Sequence, residues 1–107
     1  MARWYRDWGY VIVARNWRCR AGEIDLVARS AQGVVVICEV KTRSSTAYGS
    51  PFDAVTVAKR RRLRRLAAAW LASGAAGSGY AQVRFDVAAV RVGPGGTLVV
   101  EVLEEAF

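Results

Sequence analysis

The stretch GEIDLVARSAQGVVVICEVK, Gly22 to Lys41, decides the fold. Glu23–Arg29 alternates polar and apolar residues with a period of two, as a half-buried strand does. Ser30-Ala31-Gln32-Gly33 supplies a turn, and Val34–Lys41 is a second, more apolar run rich in valine. So short a connection makes the two runs an antiparallel hairpin. Residues two apart in a strand share a face, so Val35, Ile37, Glu39 and Lys41 lie on one side and Val34, Val36, Cys38 and Val40 on the other. The first of these faces changes from apolar to ionised near its C-terminal end. In an antiparallel hairpin the start of one strand lies beside the end of its neighbour, so Asp25 and Glu39 converge with Lys41 at one edge of the sheet. Glu23 shares the face of Asp25.

Working outward, Tyr10–Ala14 reads as a strand and Arg15–Gly22 as an Arg/Trp-rich connection. Residues 2–8 read as the last turns of an amphipathic helix stopped by Gly9. No capping residue precedes Met1, so this first helix is expected to be truncated at its N-terminus. Downstream, Thr42–Gly49 is a polar loop, and Ser50-Pro51 has the form of a helix start. Helical spacing then runs through Leu63, Leu66, Ala67, Trp70 and Leu71 to Gly74, and Ser73–Gly79 is a flexible connection. Val83–Val92 and Thr97–Leu103 are strands joined by the turn Gly93–Gly96. The order α-β-β-β-α-β-β predicts an α/β fold with a mixed sheet flanked by helices. The helical crossover calls for parallel, right-handed pairing. With 107 residues, the chain is expected to be one domain, 1–107.

Charge and composition narrow the function. Sixteen Lys and Arg against nine Asp and Glu give a net charge of +7. Fourteen of the bases are arginine, the side chain suited to forked contacts with phosphate. The expected partner is nucleic acid, DNA ahead of RNA. No apolar run is long enough to span a bilayer and the N-terminus lacks a signal-peptide pattern, so no membrane association and a cytoplasmic location are expected. Cys19 and Cys38 form no CxxC, and a domain that can bury a core needs no disulfide. Histidine is absent, which excludes Ser-His and Cys-His catalysis and histidine-ligated zinc.

Hydrolytic chemistry in such a chain must rely on carboxylates, lysine and a hard metal ion. Asp25 and Glu39 repel one another unless a cation lies between them, and their oxygens suit Mg²⁺ or Mn²⁺. Lys41 then positions the attacking water or stabilises charge developing on phosphorus. The competing reading is a salt bridge, Glu39–Lys41 or Asp25–Lys41, ending a buried sheet. An isolated ExK carries almost no signal. An aspartate, a hairpin turn and an apolar strand ending in ExK form a much more specific arrangement, and it favours the site.

At these residues the sequence resembles a known group. ARNWRCRAGEIDLVAR, VVVICEVKTRSS, YGSPFDAV with the basic helix, and VRFDVAAV are similar to the YraN-like bacterial family. That family is placed in the restriction-endonuclease-like PD-(D/E)xK nuclease superfamily, near Holliday-junction resolvases. The resemblance implies an αβββαβ core with an extra C-terminal strand. It also implies that Asp25 and Glu39 are metal ligands, that Lys41 is the catalytic lysine and that the Val40 backbone carbonyl is a further ligand. Glu23, in the GEIDL motif, is a further candidate for metal binding. The implied activity is a Mg²⁺- or Mn²⁺-dependent endonuclease acting on DNA, branched or Holliday-junction DNA included. By analogy with resolvases, which cut two strands, a homodimer is implied. Members usually carry a Gly-Glu pair on a longer first helix, and the chain starts after it. The alternative is therefore a non-catalytic nucleic-acid-binding module of the same fold.

Lys59-Arg60-Arg61-Arg62-Leu63-Arg64-Arg65 places six bases in seven positions at the front of the long helix. They have no acidic neighbours at helical spacing, so their mutual repulsion favours phosphate contact over a merely solvated face. Arg43, Ser44 and Ser45 follow Lys41 and would line the same groove, whereas Tyr48 reads as a turn residue. Trp4, Trp8, Trp17 and Trp70 read as core or interface anchors. Asp86 reads as a structural hydrogen-bonding residue.

Overall fold

The central hairpin is built as its turn chemistry dictates. In the computed structural model, which describes residues 1–43, 56–77 and 79–106, strand β2 (Gly22–Arg29) pairs antiparallel with β3 (Val34–Arg43). Ser30 closes the turn from both ends: its N–H donates to the Val34 carbonyl at 2.9 Å, and its Oγ accepts from Val34 N at 3.0 Å. Gly33 has φ +84°, and a Cβ there would come within 3.2 Å of the Ala81 backbone nitrogen. The hairpin tip thus abuts the chain entering the next strand, where Ala81 N donates to Gly33 O at 2.9 Å.

That strand, β4 (Gln82–Val92), runs parallel to β3 from Val34↔Gln82 to Arg43↔Arg91, as the helical crossover predicts. Strand β5 (Leu98–Leu103) returns antiparallel after a single 3₁₀ turn at Pro94–Gly96. Strand β1 (Val11–Cys19) pairs with β2, and the sheet order is β1-β2-β3-β4-β5. With helix α1 (Ala2–Asp7) and helix α2 (Val57–Ala72), the order α-β-β-β-α-β plus a last strand is that of a restriction-endonuclease-like core.

The alternation of β3 builds two cores. Val35 and Ile37 pack with Leu63, Leu66, Ala67 and Trp70 of α2. Val36 and Cys38 pack on the opposite side with Tyr5 of α1, Leu26, Ala28 and Ala88. Each buried Val, Leu or Ile among them contributes roughly 1.5–3 kcal/mol against the entropy of ordering it. Asp86, 1% exposed, is satisfied there: it accepts from Tyr5 Oη at 2.7 Å, from Arg84 at 2.9 Å through two nitrogens, and from Glu105 N at 3.3 Å. Its expected structural role is what the fold shows. Cys19 and Cys38 are both free thiols.

Two sequence expectations need correction. Arg15–Cys19 is not a connection but the second half of β1, and only Arg20 and Ala21 separate it from β2. The register slips between Ile12 and Ala14, and Asn16 has φ +48°, so the period of two breaks twice and hides the strand. The long helix does not run on from Ser50: it is capped at Thr56, whose Oγ1 accepts from Lys59 N at 3.2 Å, and Ser50-Pro51 lies outside the described residues. Of the four tryptophans expected as core or interface anchors, Trp70 is fully buried, Trp4 and Trp17 pack against the two cores, and Trp8 stands 70% exposed outside both.

Candidate metal and nucleic-acid site

The site arises where the β2–β3 ladder stops. The last backbone pair is Leu26↔Cys38, and beyond it β2 follows β1, with Ile24 opposite Trp17. Ile24 and Val27 belong to the same α2-side core although three residues apart, so β2 turns over between them, at Asp25. Had the ladder continued, Val40 N–H would meet the backbone of Ile24. It donates instead to Asp25 Oδ2 at 2.8 Å. In a strand the N–H and C=O of one residue point to the same side, so the Val40 carbonyl also faces Asp25, past the end of the ladder.

Glu39 precedes Val40 on the α2-side face of β3. A cleft of about 260 Å³ opens there, lined by Ala21, Gly22, Glu23, Asp25 and Glu39 from the sheet and by Arg62 and Leu63 from α2. The cleft gathers Asp25, Glu39 and Glu23, three of the residues singled out from the sequence. Glu23 also forms an ion pair with Arg18 at 3.4 Å. Glu39 Oε2 is buried without a hydrogen-bond partner. A buried carboxylate oxygen in that condition is costly unless something occupies it.

Lys41 lies two residues beyond Glu39 on β3, opposite Ala89 of β4, and is half-buried. The described lining of the acidic cleft does not include it. Arg43 ends β3, while Ser44, Ser45 and Tyr48 lie outside the described residues. On α2, Arg60, Arg61, Arg62, Arg64 and Arg65 are exposed and Lys59 is half-buried. Of these, Arg62 comes to the acidic cleft.

A second, larger groove was not legible in the sequence. About 560 Å³ in volume, it lies toward α1 and is bordered by Arg3, Arg6, Arg15, Asn16, Asp25, Val40 and Thr42, among others. Asp25 borders both spaces and so stands in the wall between them. The one local signal was the spacing of Arg3 and Arg6, which puts both on one face of a helix.

The donor chemistry fits a hard divalent cation. The oxygens are carboxylate and carbonyl, one is buried and unpartnered, and the partly open cleft leaves room for water and phosphate, which Mg²⁺ retains. Among the described residues, no three Asp, Glu, Cys or His side chains converge into a ready-made cage. No helix among them is long and apolar enough to cross a membrane.

Residues 1–90 match the model of a family described as "Uncharacterised protein family UPF0102". The chain is 50% identical over 106 residues to a UPF0102 protein of Nocardia farcinica, covering 99% of this chain and 81% of that protein. To a UPF0102 protein of Rhodococcus jostii it is 45% identical over 106 residues, covering 99% and 87%. To one of Symbiobacterium thermophilum it is 52% identical over 99 residues, covering 92% and 81%.

Proposed function

The chain belongs to the UPF0102 family, and we propose that it is a Mg²⁺- or Mn²⁺-dependent nuclease hydrolysing phosphodiester bonds in DNA, branched DNA included. The observation that carries this reading is the pairing of Asp25 and Glu39 at one cleft, with Glu39 Oε2 buried and unpartnered. Asp25, Glu39 and the Val40 carbonyl would hold the cation, with Glu23 beside them. Such an ion supplies Lewis-acid polarisation of the phosphoryl oxygen and a more acidic water. The protein's own groups do the rest. Asp25 is held through Oδ2 by Val40 N–H, and its side chain borders the cleft. Lys41 orients the attacking water or meets the charge that builds on phosphorus as the P–O bond to the leaving oxygen breaks.

The basic run of α2 supports a polyanionic substrate. The first turn of α2 has no acidic residue, and bases crowd its N-terminal half, where the helix dipole disfavours cations. A phosphate backbone relieves both the dipole and the mutual repulsion. The absence of a three-acid cluster among the described residues favours one alternative, a binding module of the same fold without catalysis.

Labelled linear and four-way-junction DNA incubated with the protein and Mg²⁺ or Mn²⁺ separates the two. Cleavage that disappears in Asp25→Ala and Lys41→Ala supports the nuclease. Salt-dependent binding with no cleavage in either metal supports the module, and failure to bind at low salt overturns both.

A further inference from the structure

The groove on the α1 side carries chemistry that the acidic cleft does not use. Arg3 and Arg6 project from α1 and Arg15 from β1, all three exposed, and they border one space together with Asn16 and Thr42. Arg18, Arg84 and Arg91 are engaged with Glu23, Asp86 and Glu101. Among the described residues no ion pair engages Arg3, Arg6 or Arg15. Among the described residues, the carboxylate bordering the groove is that of Asp25, which also accepts from Val40 N–H. Three guanidinium groups against one carboxylate leave the concavity net positive, and that arrangement suits a polyanion with regularly spaced charges.

We infer that this groove is a second phosphate-binding surface, which holds the DNA backbone on the face of the sheet opposite α2. The inference rests on the nucleic-acid reading above and adds where and how the strand is held. Helix α1 packs on one core and α2 on the other, so their arginines stand on opposite faces of the sheet. Asp25 lies between the two basic walls, bordering both spaces. A strand seated in the groove therefore passes a phosphodiester beside Asp25, and the DNA is gripped around the end of the sheet rather than laid along α2 alone.

The test is equilibrium binding of a fluorescent DNA oligonucleotide in EDTA across a salt series, so that neither metal nor cleavage enters. Arg6→Gln/Arg15→Gln removes two charges from the groove. Ala31→Glu/Gln32→Glu lowers the net charge by the same amount at the exposed hairpin turn, at the other end of β2 from Asp25. Each phosphate contact contributes roughly 0.7 to the slope of log K against log salt for single strands and roughly 0.9 for duplex. The groove pair should lower the slope by about 1.4 to 1.8 and weaken binding about tenfold or more at low salt. The turn pair should leave the slope near that of wild type. Equal effects of the two pairs, no effect of the groove pair, or no binding by wild type each overturn the inference. Thermal unfolding of both variants verifies that they fold, and the single variant Arg15→Gln repeats the test without touching α1. Salt slopes that behave as expected here, together with no cleavage by wild type in Mg²⁺ or Mn²⁺, would refute the nuclease reading and leave the groove standing.

Discussion

Substituting Asp25 in two ways separates its structural bond from its charge. Its Oδ2 accepts Val40 N–H at 2.8 Å, where the β2–β3 ladder has ended, and the carboxylate borders the acidic cleft. Asp25→Ala leaves that N–H without its acceptor, a loss of about 1–3 kcal/mol when water is excluded. Both residues are half-buried, so water can replace part of the bond and about 1 kcal/mol is expected. In a domain of this size that lowers Tm by about 4–8 °C. Asp25→Asn keeps an acceptor oxygen and should stay within a few degrees of wild type. The cation response should differ in the opposite sense. A divalent ion that binds only the folded state stabilises by about 1.4 kcal/mol at ten times its Kd, or about 6–11 °C in Tm. Thermal unfolding is measured with and without saturating Mn²⁺. Wild type should show the rise, and the asparagine variant should lose it with its metal-free Tm preserved. An asparagine variant that keeps the full Mn²⁺ shift, or a wild type that shows none, refutes the cation site. An alanine variant as stable as wild type refutes the role given to the Val40 bond.

Other perturbations follow from the same structure. Glu39→Gln removes the charge from a buried, unpartnered oxygen, so the metal-free Tm should hold or rise while cleavage is lost; a Tm lower by more than about 4–8 °C, about 1 kcal/mol, would mean that the carboxylate is already compensated. Tyr5→Phe deletes a 2.7 Å bond to the buried Asp86 carboxylate and should cost about 1.5–3 kcal/mol in urea unfolding, with an unchanged m-value. Burial pushes the Cys38 thiol up to about 12. Between pH 9 and 10 the unfolded thiol therefore ionises while the folded one keeps its proton. The unfolded state then binds fewer protons, so stability falls as pH rises, by up to about 1.4 kcal/mol per pH unit. Cys38→Ala should flatten that alkaline decline in urea titrations at pH 8, 9 and 10, and an identical slope would exclude the thiol as its source.

The parts of the fold legible in the sequence are those where one period holds without interruption. In β3 and β4 the apolar alternation is unbroken, and α2 keeps Leu63, Leu66, Ala67 and Trp70 on one side. Strand β1 was half-missed for a local reason. Trp17-Arg18-Cys19 alternates inward and outward as a strand should, but the slip at Val13 and the left-handed Asn16 put Ala14 and Trp17, three apart, into one core. A reader counting by two loses the strand past Ala14, at the second break. Asp25 was placed near Glu39 by extrapolating the hairpin register, although the backbone ladder ends one residue short of that pair. The side chain of Asp25 completes what the backbone leaves off. The Arg3/Arg6/Arg15 groove was illegible because nothing local in the sequence relates α1 to the middle of β1. Their proximity is a product of how α1 packs on the sheet.

Among the described residues, the fold settles several of its polar groups with specific partners. Asp86 has its four donors, the hairpin turn is closed by Ser30, and Thr56 caps α2. Trp70 Nε1 is buried in the α2-side core without a partner, and the other exceptions gather at one end of the sheet. Glu39 Oε2 lacks a partner, α2 starts with bases against its own dipole, and three arginines around one groove form no ion pair among the described residues. Self-consistent sequences break local rules chiefly where function requires it. These three departures have complementary cures, since a divalent cation satisfies the carboxylates and a phosphate backbone satisfies the bases. Neither cure suffices alone, because a cation near Asp25 adds to the positive field of the arginines bordering the same residue. Metal and DNA should accordingly bind with positive coupling: each removes the repulsion that the other would meet, and by linkage the gain is the same whichever binds first.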